Sequence, residues 1–174
     1  MKEPHLSLED VVLSQPQLSD AEALASLAND KRIWNNLRDY FPHPYQLDDA
    51  REFIETVAQE DPPHIFGIYY QEQFAGIAGL NAQPDVYKKS KEIGYWLGEP
   101  YWGKGIATRA VKLLTSYAFE YLDCNRIHCG VFSNNPASMK VLENAGFTKE
   151  GVFKQAVWKN DDFWDEHRYA LIKP

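Results

Sequence analysis

Glu92-Ile93-Gly94-Tyr95-Trp96-Leu97-Gly98-Glu99-Pro100-Tyr101-Trp102-Gly103-Lys104-Gly105-Ile106-Ala107 is the stretch on which the reading of this chain turns. It ends a strand and opens a long helix. Between the two, Gly103, Gly105 and Ala107 stand at alternate positions and leave main-chain N–H groups uncovered beside the positive end of the helix dipole. A turn of that kind suits a phosphate. The helix that follows places Ile106, Ala107, Ala110, Val111, Leu114, Tyr117, Ala118 and Tyr121 at the spacing of one buried face, about four turns long.

Working outward, Val11–Leu13 reads as a short strand, and Ser19-Asp20-Ala21-Glu22 reads as a helix start with Ser19 as N-cap. Trp34–Pro44 is dense in aromatic and turn residues, which implies a packed loop, and Asp48, Ala50, Phe53, Ile54 and Val57 mark a second helix. Ile65–Tyr70 and Phe74–Leu80 flank Gln71-Glu72-Gln73 as an antiparallel hairpin. Beyond the long helix come a strand over Arg126–Phe132, a short helix over Pro136–Ala145 closed by Gly146, and two strands around Lys159-Asn160-Asp161-Asp162. Seven strands and four helices in this order predict one α/β domain over residues 1–174, a mixed sheet with helices on its faces.

The 174 residues suit one core. Ten Tyr, nine Phe and five Trp can fill it and can wall a cleft. A net charge of -7 without a basic run argues against nucleic acid and favours a cationic partner. Cys124 and Cys129 form no C-x-x-C, and with His128 they lack a fourth ligand, so no metal is expected. Neither an apolar leader nor a membrane-spanning run is evident, which predicts a reduced, cytoplasmic protein off the membrane.

Three phosphate-binding motifs compete for the glycine turn. A dinucleotide fingerprint needs a third glycine where Thr108 stands, and it belongs near the first strand of its unit. A nucleotide P-loop fits Gly98 and Gly103-Lys104 but requires Ser or Thr where Gly105 stands. The third is the pyrophosphate turn of the GNAT superfamily of N-acetyltransferases, Arg/Gln-x-x-Gly-x-Gly/Ala ahead of a long helix. Trp102-Gly103-Lys104-Gly105-Ile106-Ala107 resembles it, with Trp102 in the Arg/Gln place, a replacement familiar in the branch of ribosomal-protein N-terminal acetyltransferases of the RimJ and RimL type. Asn135-Pro136-Ala137-Ser138, followed by a short helix and Gly146-Phe147, resembles the superfamily's other cofactor segment. Each of those residues also has an ordinary local job: Asn135 as N-cap, Pro136 in the first turn, Gly146 past the helix end.

The resemblance implies a mostly antiparallel central sheet whose middle strands, Glu92–Leu97 and Arg126–Phe132, splay to admit acetyl-CoA as co-substrate. It implies a binding set of Trp96, Leu97, Trp102, Gly103, Lys104, Gly105, Ile106, Ala107, Thr108, Asn135 and Ser138, with a backbone N–H near Leu97 for the acyl oxygen. Lys104, Thr108 and Arg109 flank the turn within reach of phosphates. Glu92 is the expected base, acting through water, with Asp165 and His43 behind it, and Ser138 is placed at the sulfur. Many relatives outside this branch carry a Tyr general acid where this chain has Leu142. Trp34, Phe41, Tyr45, Trp158 and Trp164 are candidate walls of the acceptor cleft. The acceptor is a primary amine, a protein N-terminus by branch or a small amine on the same scaffold. A non-catalytic acyl-CoA sensor and a Mg-dependent phosphotransferase stay open, as does the oligomeric state, a homodimer included.

Overall fold

The computed structural model describes residues 6–174. One eight-stranded sheet runs in the order β1-β2-β3-β4-β5-β6-β8-β7. Its strands are β1 (Leu6–Leu8), β2 (Val11–Ser14), β3 (Ile65–Tyr70), β4 (Gln73–Ala82), β5 (Ser90–Leu97), β6 (Arg126–Phe132), β7 (Thr148–Lys159) and β8 (Asp162–Ile172). Helices α1 (Ala21–Ala28), α2 (Lys31–Trp34), α3 (Leu47–Val57), α4 (Ile106–Tyr121) and α5 (Pro136–Asn144) complete it. The sequence pattern yields seven of these strands. The eighth, β1, spans three of the described residues and pairs with β2, too short a stretch for an alternation to be read.

Local chemistry explains most boundaries. The β3–β4 hairpin closes through Gln71 and Glu72, both at positive φ, a two-residue turn whose twist matches its strands. Gly146, at φ 94°, ends α5 as expected of a residue just past a helix end. Ser19 does not cap α1. It lies inside a 3-10 turn over Leu18–Asp20, and the Asp20 carboxylate instead accepts from the Gln17 N–H at 2.8 Å. A carboxylate reaching back across that tighter turn replaces the serine cap two residues early, at Gln17.

The two sheet faces carry separate cores. Ile106, Val111, Leu114 and Ala118 of α4 pack with Val11, Ile68, Ile93 and Ile127 on one face. Leu24, Ala50 and Ile54 of α1 and α3 pack with Phe74 and Ile77 on the other. Phe74 and Ile77 share that face because the β3–β4 register shifts between Ile68 and Tyr69, so the ladder skips Ala75 and the alternation inverts.

The feature that positions the site is the one parallel pairing among the described residues. β5 and β6 are joined only at Ser90–Arg126, Lys91–Ile127 and Glu92–His128. Beyond that rung β5 continues along β4, and β6 along β8, so the sheet opens as a wedge.

The β7–β8 turn is stapled across the chain to the loop after α2. Lys159, 3% exposed, sets its ammonium 3.4 Å from the centre of the Trp34 ring and donates to the Leu37 carbonyl and to Asp39 at 2.9 and 2.7 Å. Replacing it by methionine keeps the apolar stem and removes the charge. Lys159→Met is expected to lower stability by about 2 kcal/mol, the scale of a desolvated cation–π contact. Limited proteolysis should then cut first within residues 35–42, and unchanged stability and cleavage would show that the staple contributes nothing.

Candidate active site

Cavity and seam coincide. A cavity of about 1160 Å³ runs from the glycine turn, along the open edge of β5, to the loop after α2. Its lining includes Trp96, Leu97, Trp102, Gly103, Gly105, Ile106, Ala107, Thr108, Asn135 and Ser138 at one end, and Arg38, Phe41, Tyr45, Phe53 and Glu92 at the other.

The turn itself has the geometry of an anion cradle. Gly103 and Gly105 sit at φ 72° and 70°, and a Cβ added at either would meet nothing within 4 Å. Among the described residues, no main-chain N–H from Gly103 to Thr108 donates to another group of the chain; the helix ladder begins with the Arg109 N–H, 3.2 Å from the Gly105 carbonyl. Six consecutive free donors at the start of a sixteen-residue helix amount to a concentrated positive potential.

Two side chains hold that turn in shape. Trp102 sends its indole N–H to the Leu97 carbonyl at 2.8 Å and packs under the Arg32 guanidinium at 4.8 Å. Arg109 donates to the Lys104 and Gly105 carbonyls at 2.9 and 3.3 Å and pairs with Glu9 and Asp10. This corrects the expectation that Arg109 reaches phosphates: its guanidinium is spent behind the turn, drawing carbonyls away from the cavity. Lys104 does not line the cavity; its ammonium stands 5.8 Å from the Tyr70 ring centre and 6.0 Å from that of Tyr101.

On β5 the Trp96 carbonyl packs against Gly76 of β4, so its main-chain groups face inward to the ladder. Alternation then turns the N–H and C=O of Leu97 toward the seam, and the bond from Trp102 to the Leu97 carbonyl agrees with that direction. Leu97 therefore offers the free N–H, while Trp96 contributes its ring to the wall.

Asn135 caps α5, accepting from the Ser138 N–H at 3.3 Å. Ser138 Oγ lies 2.7 Å from the hydroxyl of Tyr95, a residue the sequence reading passes over. Burial pushes the Tyr95 phenol well above its ordinary range, so it stays protonated. Leu142 is fully buried and does not line the cavity, so a hydroxyl at that point of α5 would have no access.

At the far end Glu92 accepts from Arg38 at 2.7 Å, with its side chain 15% exposed. Glu166, also a cavity residue, leans over Gly130 and pairs with Arg168 at 3.2 Å. Neither Arg38 nor Glu166 is given a role by the sequence, because each comes to Glu92's end of the cavity from a distant segment.

Several expected residues lie elsewhere. Asp165 is outside the cavity: it accepts from the Gln155 N–H at 2.8 Å and from Lys154, which hold its carboxyl below the usual range. His43 packs against Trp34, ring centres 5.7 Å apart, away from the cavity lining. Of the five proposed aromatic walls only Phe41 and Tyr45 line it; Trp34 serves the Lys159 staple, Trp158 meets Phe163 edge to face, and Trp164 packs on Phe132. Cys129 lines the cavity but burial pushes its thiol up to about 12, so it is no nucleophile.

Comparison with known proteins agrees with this geometry. A family model described as an acetyltransferase (GNAT) domain matches residues 10–148. A probable N-acetyltransferase of Bacillus subtilis, YjcK, is 33% identical over 91% of this chain and 91% of its own. Among solved structures, RimL, a ribosomal-protein α-N-acetyltransferase in complex with coenzyme A, superimposes with a TM-score of 0.82 at 26% identity, covering 98% of this chain and 97% of that one. The microcin C7 self-immunity acetyltransferase MccE, in complex with acetyl-CoA and AMP, gives 0.82 at 27% identity over 95% and 94%. Among the described residues no helix is long and apolar enough to cross a membrane.

Proposed function

The chain belongs to the GNAT family and is an acetyl-CoA-dependent acetyltransferase acting on an amine; on that premise we propose that the amine is the α-amine of a protein N-terminus and that Glu92 and Ser138 assist its acetylation. The observation that carries the donor half of this reading is the run of free N–H groups from Gly103 to Thr108 at the mouth of an open β-seam. A diphosphate would satisfy those donors, and an amide-bearing arm would pair with the Leu97 edge as an added strand. Relatedness to RimL, which acetylates a protein α-amine by its name, supports the acceptor class. A spermine/spermidine N(1)-acetyltransferase of Bacillus subtilis, 29% identical over 49% of this chain, favours a second reading, a small-molecule amine, on the same scaffold.

The chain's residues divide the chemistry simply. The turn and the Leu97 edge orient the thioester, which supplies the acetyl group. The Leu97 N–H stabilises negative charge on the acyl oxygen. Glu92, aimed by Arg38, takes the amine proton through water, and Ser138 donates a hydrogen bond to the leaving sulfur. No acyl-enzyme is proposed: burial pushes the Cys129 thiol up to about 12, and its hydrogen goes to the Gly130 carbonyl.

Free-thiol release across a panel of N-terminal peptides and small amines tests the acceptor, and calorimetry with acetyl-CoA against Mg-ATP tests the donor. Peptide acetylation at the α-amine is expected; turnover of small amines alone would replace that acceptor. Glu92→Gln is expected to reduce kcat about 100-fold, the lower range for a positioned base, with KM for acetyl-CoA changed less than about twofold. An unaltered kcat would remove Glu92 from the mechanism.

A further inference from the structure

Ser138 has only one hydrogen to give, and the Tyr95 hydroxyl stands where it can either take that hydrogen or leave it free. Tyr95 Oη lies 2.7 Å from Ser138 Oγ and 3.3 Å from the Ser138 carbonyl oxygen. Two arrangements of the hydrogens satisfy these distances. In one, the serine donates to the phenol and the phenol donates to the carbonyl, so Ser138 has nothing left for the cavity. In the other, the phenol donates to Ser138 Oγ, and the serine hydrogen is released toward the cavity that both residues line.

We propose that Tyr95 is a positioning residue for acetyl transfer: by donating to Ser138 Oγ it frees and polarises the serine hydroxyl to hydrogen-bond the sulfur as the thiolate departs. The inference rests on the acyl-donor reading above. Several facts support it beyond the contact itself. Both residues line the cavity, whereas Leu142 of the same helix as Ser138 is walled into the core and offers no hydroxyl there. Tyr95 and Ser138 are 43 residues apart, on β5 and α5, and their contact bridges the seam at its cavity side. The short Oη···Oγ separation belongs to a well-formed O–H···O bond, and a phenol that keeps its proton can only donate or accept, never drain charge from the serine.

The step balances without moving a proton through Tyr95. The amine nitrogen bonds the acetyl carbon, the C–S bond breaks with its electron pair left on sulfur, and the amine proton passes through water to Glu92. Ser138 and Tyr95 only redirect hydrogen bonds, and the thiolate leaves as such.

The test uses the full chain with coenzyme A and acetyl-CoA. The ionisation of bound coenzyme A's thiol is followed by thiolate absorbance against pH, next to steady-state acetyl transfer. Wild type should ionise the bound thiol at lower pH than free coenzyme A. Tyr95→Phe should raise that midpoint by about half to one pH unit, a roughly 3- to 10-fold loss of thiolate at a fixed pH below it. Ser138→Ala should do as much, and the two together no more, because one acts through the other. Acetyl transfer should follow, with kcat about tenfold lower in each variant and in the pair, and KM for acetyl-CoA changed less than about twofold. Ser138→Thr, which keeps the hydroxyl, should stay near wild type. A purely structural Tyr95 would instead lower thermal stability, leave the thiol midpoint alone and add its effect to that of Ser138→Ala; that result overturns the proposal. Should the midpoint respond while no amine is acetylated, the acceptor reading fails and the Tyr95 assignment stands.

Discussion

Gly105→Val is expected to weaken acetyl-CoA binding about 1000-fold while leaving the protein folded. The glycine caps α4 at φ 70°, a conformation that costs a β-branched residue roughly 1–2 kcal/mol, so thermal stability should fall only by a few degrees. Binding suffers far more. Nothing in the protein lies within 4 Å of a Cβ at this position, because the space in front of it is the cavity. A valine side chain would stand where the diphosphate has to approach the free N–H groups of residues 103 to 108. Losing two or three charge-assisted hydrogen bonds of about 1.5 kcal/mol or more each gives about 4 kcal/mol, which is the thousandfold. Titration calorimetry with acetyl-CoA reads the loss, and thermal melting of the free protein reads the fold. An affinity within tenfold of wild type would mean that the cradle is not where the diphosphate sits.

The same turn shows how far a sequence can be read. Glycine spacing, a strand before it and an apolar helical face after it are local facts, and the structure places all three within a residue or two of their expected bounds. Asn135 was equally legible, because an N-cap and its helix are contiguous in sequence. What escaped was the side-chain contact between distant segments; the parting of β5 from β6 came from the family resemblance and not from any local pattern. Tyr95 looks like one more aromatic in a strand until α5 brings Ser138 to it. Asp165 sits one residue before Glu166 on β8, and alternation puts their side chains on opposite faces of the sheet, so only the latter reaches the cavity. Without the strand's register, nothing distinguished one carboxylate from the other. Arg109 illustrates the opposite error: a cation beside a phosphate turn reads as a ligand, but the β1–β2 turn supplies Glu9 and Asp10, and the guanidinium braces the loop from behind. Trp34 likewise looked like a cleft wall because its partner, Lys159, arrives from the far end of the chain.

Two glycine-to-alanine changes, chemically identical, should separate the packing of the seam from its chemistry. Gly76 lies opposite Leu97 in the β4–β5 ladder. A Cβ there would overlap the Trp96 carbonyl oxygen and stand 2.9 Å from Leu97 Cα, both of them backbone atoms of the strand whose other edge carries the site. Neither can swing aside, so the strands must part or the ladder must slip. Gly76→Ala is therefore expected to cost about 3 kcal/mol, at the upper end for overpacking, or roughly 6–12 °C in Tm. It should also raise KM for acetyl-CoA, because displaced β5 carries the Leu97 N–H with it. Gly130→Ala meets a different obstacle: the overlapping atoms are the carboxylate end of Glu166, a flexible side chain with room in the cavity to rotate. Its stability cost should stay below about 1 kcal/mol, within the ordinary range of a tolerated substitution. The effect should appear instead on the acceptor's KM, since Glu166 lies at the acceptor end of the cavity, with acetyl-CoA binding left intact. Melting curves and the two Michaelis constants measured side by side decide the matter. Equal losses of Tm would mean that β4 and β5 can give way as easily as a side chain, and the rigid β5 edge on which the placement of Leu97 depends would have to be abandoned.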